Sequence, residues 1–533
     1  MAEGGTVSMA APGIWRPRRN PWAIAITVTL ATFMEVLDTS IANVALPHMA
    51  GNLGASNDES TWVLTSYLVS NAIVLPISGW LASRFGRKRF FLLCLFLFTL
   101  SSLLCGIATS LGMLILFRVM QGAGGGGLQP MAQAILADTF PPEKRGLAFA
   151  LYGITAVMAP TIGPTLGGWI TDNYTWRWIF FINLPVGLLA MFLVFRLVED
   201  PPYFKRLAQG GVRVDFIGIG LLALGVGALQ VLLDKGQEDD WFGSRFIVTL
   251  AVVAAVCLVT LVVWEWKHRA PIVDVRLFKS FGFATANLMM FVLGILLFAS
   301  LVMMPQFLQT LMGYTATSAG LVLSAAGLVL LVEMPIVGQL TTKIPVKYIF
   351  GFGWLALALG MYYSTRRIDL EISFQSAMWL RVVQVFGMGF LFVPITLSAY
   401  IGVPPEKGNS VSGLVNFMRN IGSSVGTSMV TTLLARRAQF HQSVLSYHVT
   451  GSDPAFQNQV AGLSRRLVES GISAADSQAH AYGLIYQSMA AQSQTLAYVD
   501  TFMILAAGAG IMFLLSFFVR RNDPGGGGAV VVE

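Results

Sequence analysis

Charge is what this chain has least of. Only 11% of its 533 residues are Asp, Glu, Lys or Arg, 55% are hydrophobic, and the mean hydropathy is +0.68. A water-soluble domain carries roughly 25% charged residues, so a soluble globular protein is excluded. Regular alternation of polar and apolar residues is also missing, which excludes a membrane-spanning β-barrel. Cysteine is reduced to Cys94, Cys105 and Cys257, all inside apolar runs. That pattern gives no disulfide framework and no metal cluster; the three read as small buried hydrophobes. The five histidines, His48, His268, His441, His448 and His480, all fall outside the middle of an apolar run, which argues against a histidine proton relay. No convergent set of His, Cys or Ser with an acid is apparent, so we expect neither an enzyme nor a cofactor. The first apolar run is too long for a cleavable signal peptide, and no small-residue cleavage site follows it.

What the chain has instead is apolar runs of about 20 residues, each long enough to cross a bilayer. Fourteen are countable, near 22–46, 61–82, 90–109, 112–136, 147–171, 178–197, 214–233, 246–266, 284–309, 317–341, 347–364, 376–400, 409–434 and 500–519. The expected fold class is therefore an all-α polytopic membrane protein. With the N-terminus in the cytoplasm, 22 of the 34 Lys and Arg fall in cytoplasmic segments or at the cytoplasmic ends of spans (Arg196 and Lys347), 9 on the opposite side and 3 in the interior of spans. This bias predicts that both termini are cytoplasmic. The net charge of +7 is then a topology signal and a match to anionic lipid, not a nucleic-acid patch.

The chain also repeats itself. "RVMQGAGGGG" from Arg118 is followed by "PPEKRG" from Pro141; "RVVQVFGMGF" from Arg381 is followed by "PPEKGN" from Pro404. Both pairs lie 263 residues apart (381 − 118 and 404 − 141). Gln121 maps to Gln384, Gly124 to Gly387 and Gly163 to Gly426 at the same offset. Several matches at one offset indicate a duplicated six-helix half, spans one to six and nine to fourteen, with two extra spans between. Each half crosses an even number of times, so the halves are parallel repeats, and the cavity is expected between them near the midplane.

Charged and kinked positions inside the spans are the candidates for chemistry. "TFMEVLDTSIANVALP", residues 32–47, carries Glu35 and Asp38 one turn apart on one helix face. A carboxylate at that depth costs several kcal/mol unless it is paired, hydrated or protonated, and one that takes up and releases a proton can carry it across. Arg118 in the fourth span cannot shed its proton and needs a counter-charge or a wet cavity. Gln121 and the run Gly122–Gly127 follow, small residues that let backbones approach. In span five, Pro160 and Pro164 each remove a backbone donor, while Gly163 and Gly167 make a small-residue face, read as a packed hinge between the halves. Further cavity candidates are Glu333 beside Pro335 in span ten, and Arg419 between Asn416 and Asn420 in span thirteen; a Glu333–Arg419 pair is the plain structural alternative for both. Glu265, between Trp264 and Trp266, reads as interfacial. Residues 435–499 form a long polar segment with apolar residues at helical spacing, expected as a helical element on the outer face.

"LDTSIANVALP" (37–47), "RVMQG" (118–122), "GPTLGG" (163–168) and "WRWIFFINLPVG" (176–187) together resemble the fourteen-helix drug/proton antiporters of the major facilitator superfamily, the EmrB/QacA family. The resemblance implies a major facilitator fold of two six-helix bundles plus two extra transmembrane helices. It divides the chain into a cytoplasmic segment 1–21, a first bundle 22–200, two linking helices 201–270, a second bundle 271–520 containing the 435–499 segment, and a tail 521–533. Asp38 matches the family's first-span acid, implicated in proton coupling, and Arg118 its fourth-span arginine. Gly163, Pro164, Gly167 and Gly168 match the fifth-span antiporter motif. Gly79, Gly86, Arg87 and Lys88 match the motif of the loop between spans two and three, but Ser83 stands where the family usually has an acid that latches the outward-open state. The implied function is proton-coupled export of hydrophobic or amphipathic compounds across a bacterial inner membrane. The implied partners are a periplasmic adaptor (EmrA-like) and an outer-membrane channel (TolC-like). The alternatives are an exporter of an endogenous metabolite or lipid, or a uniporter without proton coupling.

Overall fold

The computed structural model describes residues 17–201, 214–447, 449 and 453–519. Residues 1–16 of the expected segment 1–21 and the whole of the expected tail 521–533 lie outside the described residues, as does 202–213 of the link between bundles. Among the described residues every regular element is helical. The first bundle is built from α1 (Pro21–Leu53), the short α2 (Asn57–Ser60), α3 (Trp62–Phe85), α4 (Arg87–Ile107), α5 (Leu111–Gly125), α6 (Leu128–Thr139), α7 (Pro142–Asn173), α8 (Trp178–Phe181) and α9 (Asn183–Leu197). Two linking helices follow, α10 (Phe216–Lys235) and α11 (Arg245–Lys267). The second bundle holds α12 (Phe281–Thr310), α13 (Ala316–Leu340), α14 (Val346–Arg367), α15 (Phe374–Tyr400), α16 (Gly408–Ser446), α17 (Pro454–Glu469) and α18 (Ala474–Ser516). Among the described residues, twelve helical segments are long and apolar enough to cross a membrane. The eleventh and thirteenth expected spans fall on α14 and α16, of 22 and 39 residues. Both are more polar: α14 ends in Arg366 and Arg367, and α16 carries Asn409, Asn416, Arg419 and Asn420.

Local chemistry sets the helix ends. Asn20 caps α1 through Oδ1, which accepts the Trp22 amide at 2.9 Å, and Pro21 takes the first position, where no donor is needed. α3 stops at Gly86, whose φ of +87° a side chain would resist. The turn is then fixed by Asp200, which accepts the Lys88 amide at 2.9 Å. The expected fourth span is two helices, α5 and α6, joined at Gly126–Gly127. The glycine run lies in backbone contact with its neighbours. A Cβ on Gly124 would sit 2.7 Å from the Phe98 amide, and one on Gly126 2.7 Å from the Asn71 carbonyl.

Helix ends rich in Arg and Lys, including Arg84, Arg87, Lys88, Arg89, Lys144 and Arg145, mark one face of the molecule, here termed the basic face. The two bundles meet along two seams, α7 against α13 and α3 against α16. At the basic face both seams are backbone-tight. Gly146 of α7 packs on the Gly338 carbonyl of α13, and a Cβ on Gly79 of α3 would sit 2.8 Å from the Ser410 amide of α16. The seams are copies of each other. Ala150 meets Gly338 across one as Gly413 meets Leu75 across the other, and both correspondences (413 − 150 and 338 − 75) carry the 263-residue offset. This is the two-fold relation of a parallel repeat. Ser83, at the place of the family's acid, turns back to the Gly79 carbonyl at 2.9 Å, so the tight packing at Gly79 uses no carboxylate from that position.

α10 sits beside the seam of α3 and α16. Its Gln230 amide donates to Ser424 Oγ at 2.7 Å, and Asp234 accepts a hydrogen bond from Thr65. α11 packs on α10 and leaves Val252, Val256, Val259 and Val263 exposed, as a lipid-facing helix requires. The polar segment 435–499 is largely helix. α16 runs on past its expected end and α18 begins well before its expected start; α18 is 43 residues in all, about 65 Å, against a hydrocarbon core of about 30 Å. Asp500 ties the two helices, accepting from Arg437 Nε at 2.6 Å and lying 2.7 Å from His441 Nε2. α17 lays Val460, Phe456, Leu463 and Leu467 on Ala481 and Ile485 of α18.

Candidate functional site

Asp38 of α1 and Arg118 of α5 form an ion pair of 2.6 Å inside the first bundle. Their side chains are 1% and 0% exposed, so neither charge has solvent to rely on and the protein must satisfy both. It does so with amides. Gln121, one turn after Arg118, accepts from Arg118 Nη1 at 2.7 Å and donates to Asp38 Oδ1 at 3.0 Å. Asn183 of α9 donates to the same oxygen at 2.7 Å and to Ser102 of α4 at 3.0 Å. Arg118 Nε donates to the Val63 carbonyl at 3.1 Å, and the guanidinium lies 4.3 Å from the centre of the Tyr67 ring. One acid thus collects helices α1, α3, α4, α5 and α9.

Glu35 heads a second network that leaves the bundle. Tyr67 donates to its Oε1 at 2.9 Å, Asn71 to Oε1 at 3.1 Å and Gln129 of α6 to Oε2 at 2.6 Å. Arg419 of α16, in the other bundle, donates to Gln129 Oε1. Beside it, Asn416 accepts from Tyr152 of α7 at 2.8 Å and donates to Gln133 at 2.7 Å. This polar band crosses the seam at mid-membrane, where each hydrogen bond replaces one that water cannot supply.

The structure brings Glu35, Asp38, Arg118 and Gln121 together on the first-bundle side, joins Arg419 to Glu35 through Gln129, and brings Asn416 to the same glutamine by way of the Tyr152 hydroxyl. Asn420 follows Arg419, its Oδ1 buried without a hydrogen-bond partner. Glu333 is apart from both networks. It packs on Gly389 within the second bundle and does not pair with Arg419. Gly163 and Gly167 face Ser40 and Ile41 of α1, inside the first bundle, while Gly146, Gly153 and Thr165 carry the contact of α7 with α13. Gly168 is buried and its carbonyl accepts from Thr171 at 3.0 Å. The two prolines have a defined consequence. Pro164 has no amide to offer the Pro160 carbonyl four residues back, and Ser40 of α1 fills that place at 3.0 Å. Arg87 pairs with Asp138 at 2.6 Å, and Lys88 Nζ donates to the Phe195 carbonyl at 2.7 Å. The sequence reading did not single out Tyr67, Asn71, Gln129, Gln133, Tyr152 or Asn183. The available signal was an uncharged amide or phenol in an apolar run.

Two matched helix bundles meeting along a polar mid-membrane band define a secondary transporter. The comparisons agree. The model of the Major Facilitator Superfamily matches residues 28–427, and the chain belongs to that superfamily. It is 40% identical over 495 residues to the multidrug export protein EmrB of Haemophilus influenzae, covering 93% of this chain and 95% of that one. It is 38% identical over 453 residues to the fatty acid resistance protein FarB of Neisseria gonorrhoeae, covering 84% and 87%. The solved proton:xylose symporter XylE superposes with a TM-score of 0.59 at 14% identity, over 94% of this chain and 96% of that one, which shows the shared fold. Within the superfamily the full-length similarity places the chain with the EmrB-type transporters.

Proposed function

We propose that this protein is a proton-coupled multidrug exporter that moves hydrophobic or amphipathic compounds out of a bacterial cell across the inner membrane by alternating access, with both termini cytoplasmic. The carrying observation is the buried Asp38–Arg118 pair. With Asp38 ionised, every charge in the cluster has a partner. A proton arriving on Asp38 cancels its charge and leaves Arg118, which stays cationic, without a counter-ion in a low-dielectric site. The cluster must then rearrange or admit another group. Protonation at Glu35 adds a second effect. It weakens the acceptor for Gln129, and through Gln129 the link to Arg419 in the other bundle. Uptake of protons thereby loosens the band that holds the halves at mid-membrane, and the halves rock about it. On this reading the bundles are 22–200 and 271–520, with 201–270 as an added pair, and the tight glycine contacts at the basic face form the cytoplasmic gate.

Support for the cargo class comes from the full-length relatives, whose names describe multidrug export and fatty acid resistance. The outward hairpin of α16, α17 and α18 is the surface we assign to a periplasmic adaptor (EmrA-like), with a TolC-like channel beyond it. The test is Asp38→Asn in proteoliposomes. An imposed pH gradient drives drug movement by the native protein and not by the variant; equal flux from both removes Asp38 from the mechanism. Co-purification from native membranes that recovers no adaptor removes the partners and leaves the pump.

A further inference from the structure

The repeat places a second buried arginine in the second bundle, and its surroundings differ from the first in one respect. Arg381 of α15 matches Arg118 at the 263-residue offset, and Gln384 matches Gln121. Gln384 accepts from Arg381 Nη1 at 3.3 Å and donates onward to Ser364 at 2.9 Å, as Gln121 accepts from Arg118 and donates to Asp38. Where Asp38 touches Arg118 Nη1, the atom touching Arg381 Nη1 is Ser300 Oγ of α12, at 3.1 Å. Arg381 is 1% exposed, and its Nε has no hydrogen-bond partner. Among the described residues no carboxylate lies within ion-pairing distance of it. A guanidinium cannot deprotonate to relieve this, and a hydroxyl and an amide supply dipoles but no charge. The first bundle answers the same problem with its own aspartate.

We infer that Arg381, with Ser300 and Gln384, is a binding site for a monoanionic group: a halide, or the carboxylate of an amphipathic cargo. A carboxylate accepts the guanidinium fork, and the Ser300 hydroxyl, which now spends its proton on the Leu297 carbonyl at 2.9 Å, is free to turn towards an anion. The carboxylate source rests on the exporter reading above; the halide source does not. Glu333, a buried acid of this bundle with no ion-pair partner among the described residues, sits against Gly389, eight residues along α15 from Arg381 and about 12 Å further along the axis, so it does not fill the site.

The experiment is thermal unfolding of the full chain in detergent, in a gluconate buffer titrated with chloride or with octanoate below its micellar range. A ligand held by the folded state raises the midpoint in a saturating manner. A rise of several degrees with either anion is expected; chloride alone identifies a halide site, and octanoate alone a cargo carboxylate site. Arg381→Gln abolishes the response. Ser300→Asp abolishes it too while keeping a folded protein, because its side chain supplies the missing charge at the atom already touching Arg381. A wild type that responds to neither anion overturns the inference, and so does a response that survives in both variants. Asp38→Asn leaves the response intact. A protein that binds the anion but fails to pump under a pH gradient therefore sinks the exporter reading and not this one.

Discussion

Tyr67 stands between the two acids of α1 and touches both of their networks. Its hydroxyl donates to Glu35 Oε1 at 2.9 Å, and its ring lies 4.3 Å from the guanidinium carbon that Asp38 neutralises. Glu35 and Asp38 share a helix face but have separate partners, so this phenol is the side chain through which a change at one reaches the other. Tyr67→Phe keeps the ring under Arg118 and removes the donor, at a cost of about 1–3 kcal/mol for a buried bond to a carboxyl group. Tyr67→Ala removes both and costs about 3–5 kcal/mol. Thermal unfolding should rank the three proteins in that order, with proton-driven flux reduced in Tyr67→Phe. Full flux in Tyr67→Phe would show that the hydroxyl plays no part in coupling.

The Asp38–Arg118 pair makes a sharper prediction about stability. Removing one partner of a buried pair leaves the other charge uncompensated, at about 3–5 kcal/mol. Asp38→Asn should therefore lower the unfolding midpoint as well as stop coupled flux. Removing both charges in Asp38→Asn with Arg118→Gln should restore much of the stability while transport stays lost. If the double variant is less stable than the sum of the singles, the pair is not the isolated unit described here, and the coupling energy from the cycle will say so.

Arg419 tests the link across the seam. It reaches Gln129 of the first bundle and lies 5.8 Å from the centre of the Phe392 ring. Arg419→Gln should leave the Asp38 cluster untouched and weaken the hold between the halves. Spin labels at the exposed positions Arg84 and Glu406, which flank the α3–α16 seam at the basic face, read that hold as a distance distribution. We expect a longer, broader distribution in Arg419→Gln than in the native chain. An unchanged distribution means that the band at mid-membrane does not bias the gate.

Much of this was legible in the sequence, for identifiable reasons. Long apolar runs leave the backbone no solution but helix, so the spans were visible, and charge inside a span is rare enough that Asp38, Arg118 and Glu35 drew the eye. Their partners did not. Asn183 is 145 residues from Asp38, and Gln129 is 94 from Glu35, and a single amide in a helix carries no mark of what it will meet. The small-residue face of Gly163 and Gly167 was readable as a close contact but not as a contact with α1, since glycine spacing fixes proximity and not the partner. Residues 435–499 were legible as helix from their apolar spacing, but not as continuations of α16 and α18, because beyond the bilayer a helix no longer needs an apolar face all round. α14 and α16 look marginal as spans for the complementary reason. Asn409 and Asn416 of α16 face neighbouring helices instead of lipid.

The close packing at the basic face gives a prediction that separates contact between bundles from contact within one. Gly146 and Gly338 meet backbone to backbone across the α7–α13 seam, and the Thr341 side chain closes over Gly146 as well. At the same face the other seam closes with Gly79 against the backbone of Asn409 and Ser410. A side chain at Gly146 or Gly79 cannot be taken up by a rotamer change alone, because the nearest atoms it meets are backbone; it must wedge the bundles apart. Each bundle keeps its own core, so the chain should still fold. Gly146→Leu and Gly79→Leu are expected to express normally, to show the lengthened distance between labels on either side of the α3–α16 seam, and to lose most of their flux. Gly220, which has nothing within 4 Å of a Cβ position, is the control, and Gly220→Leu should change stability by no more than about 0.5 kcal/mol and leave flux intact. Variants at Gly79 and Gly146 that transport as well as the control would mean the halves do not need this closure in the cycle, and the basic-face contacts would then be packing without a gating role.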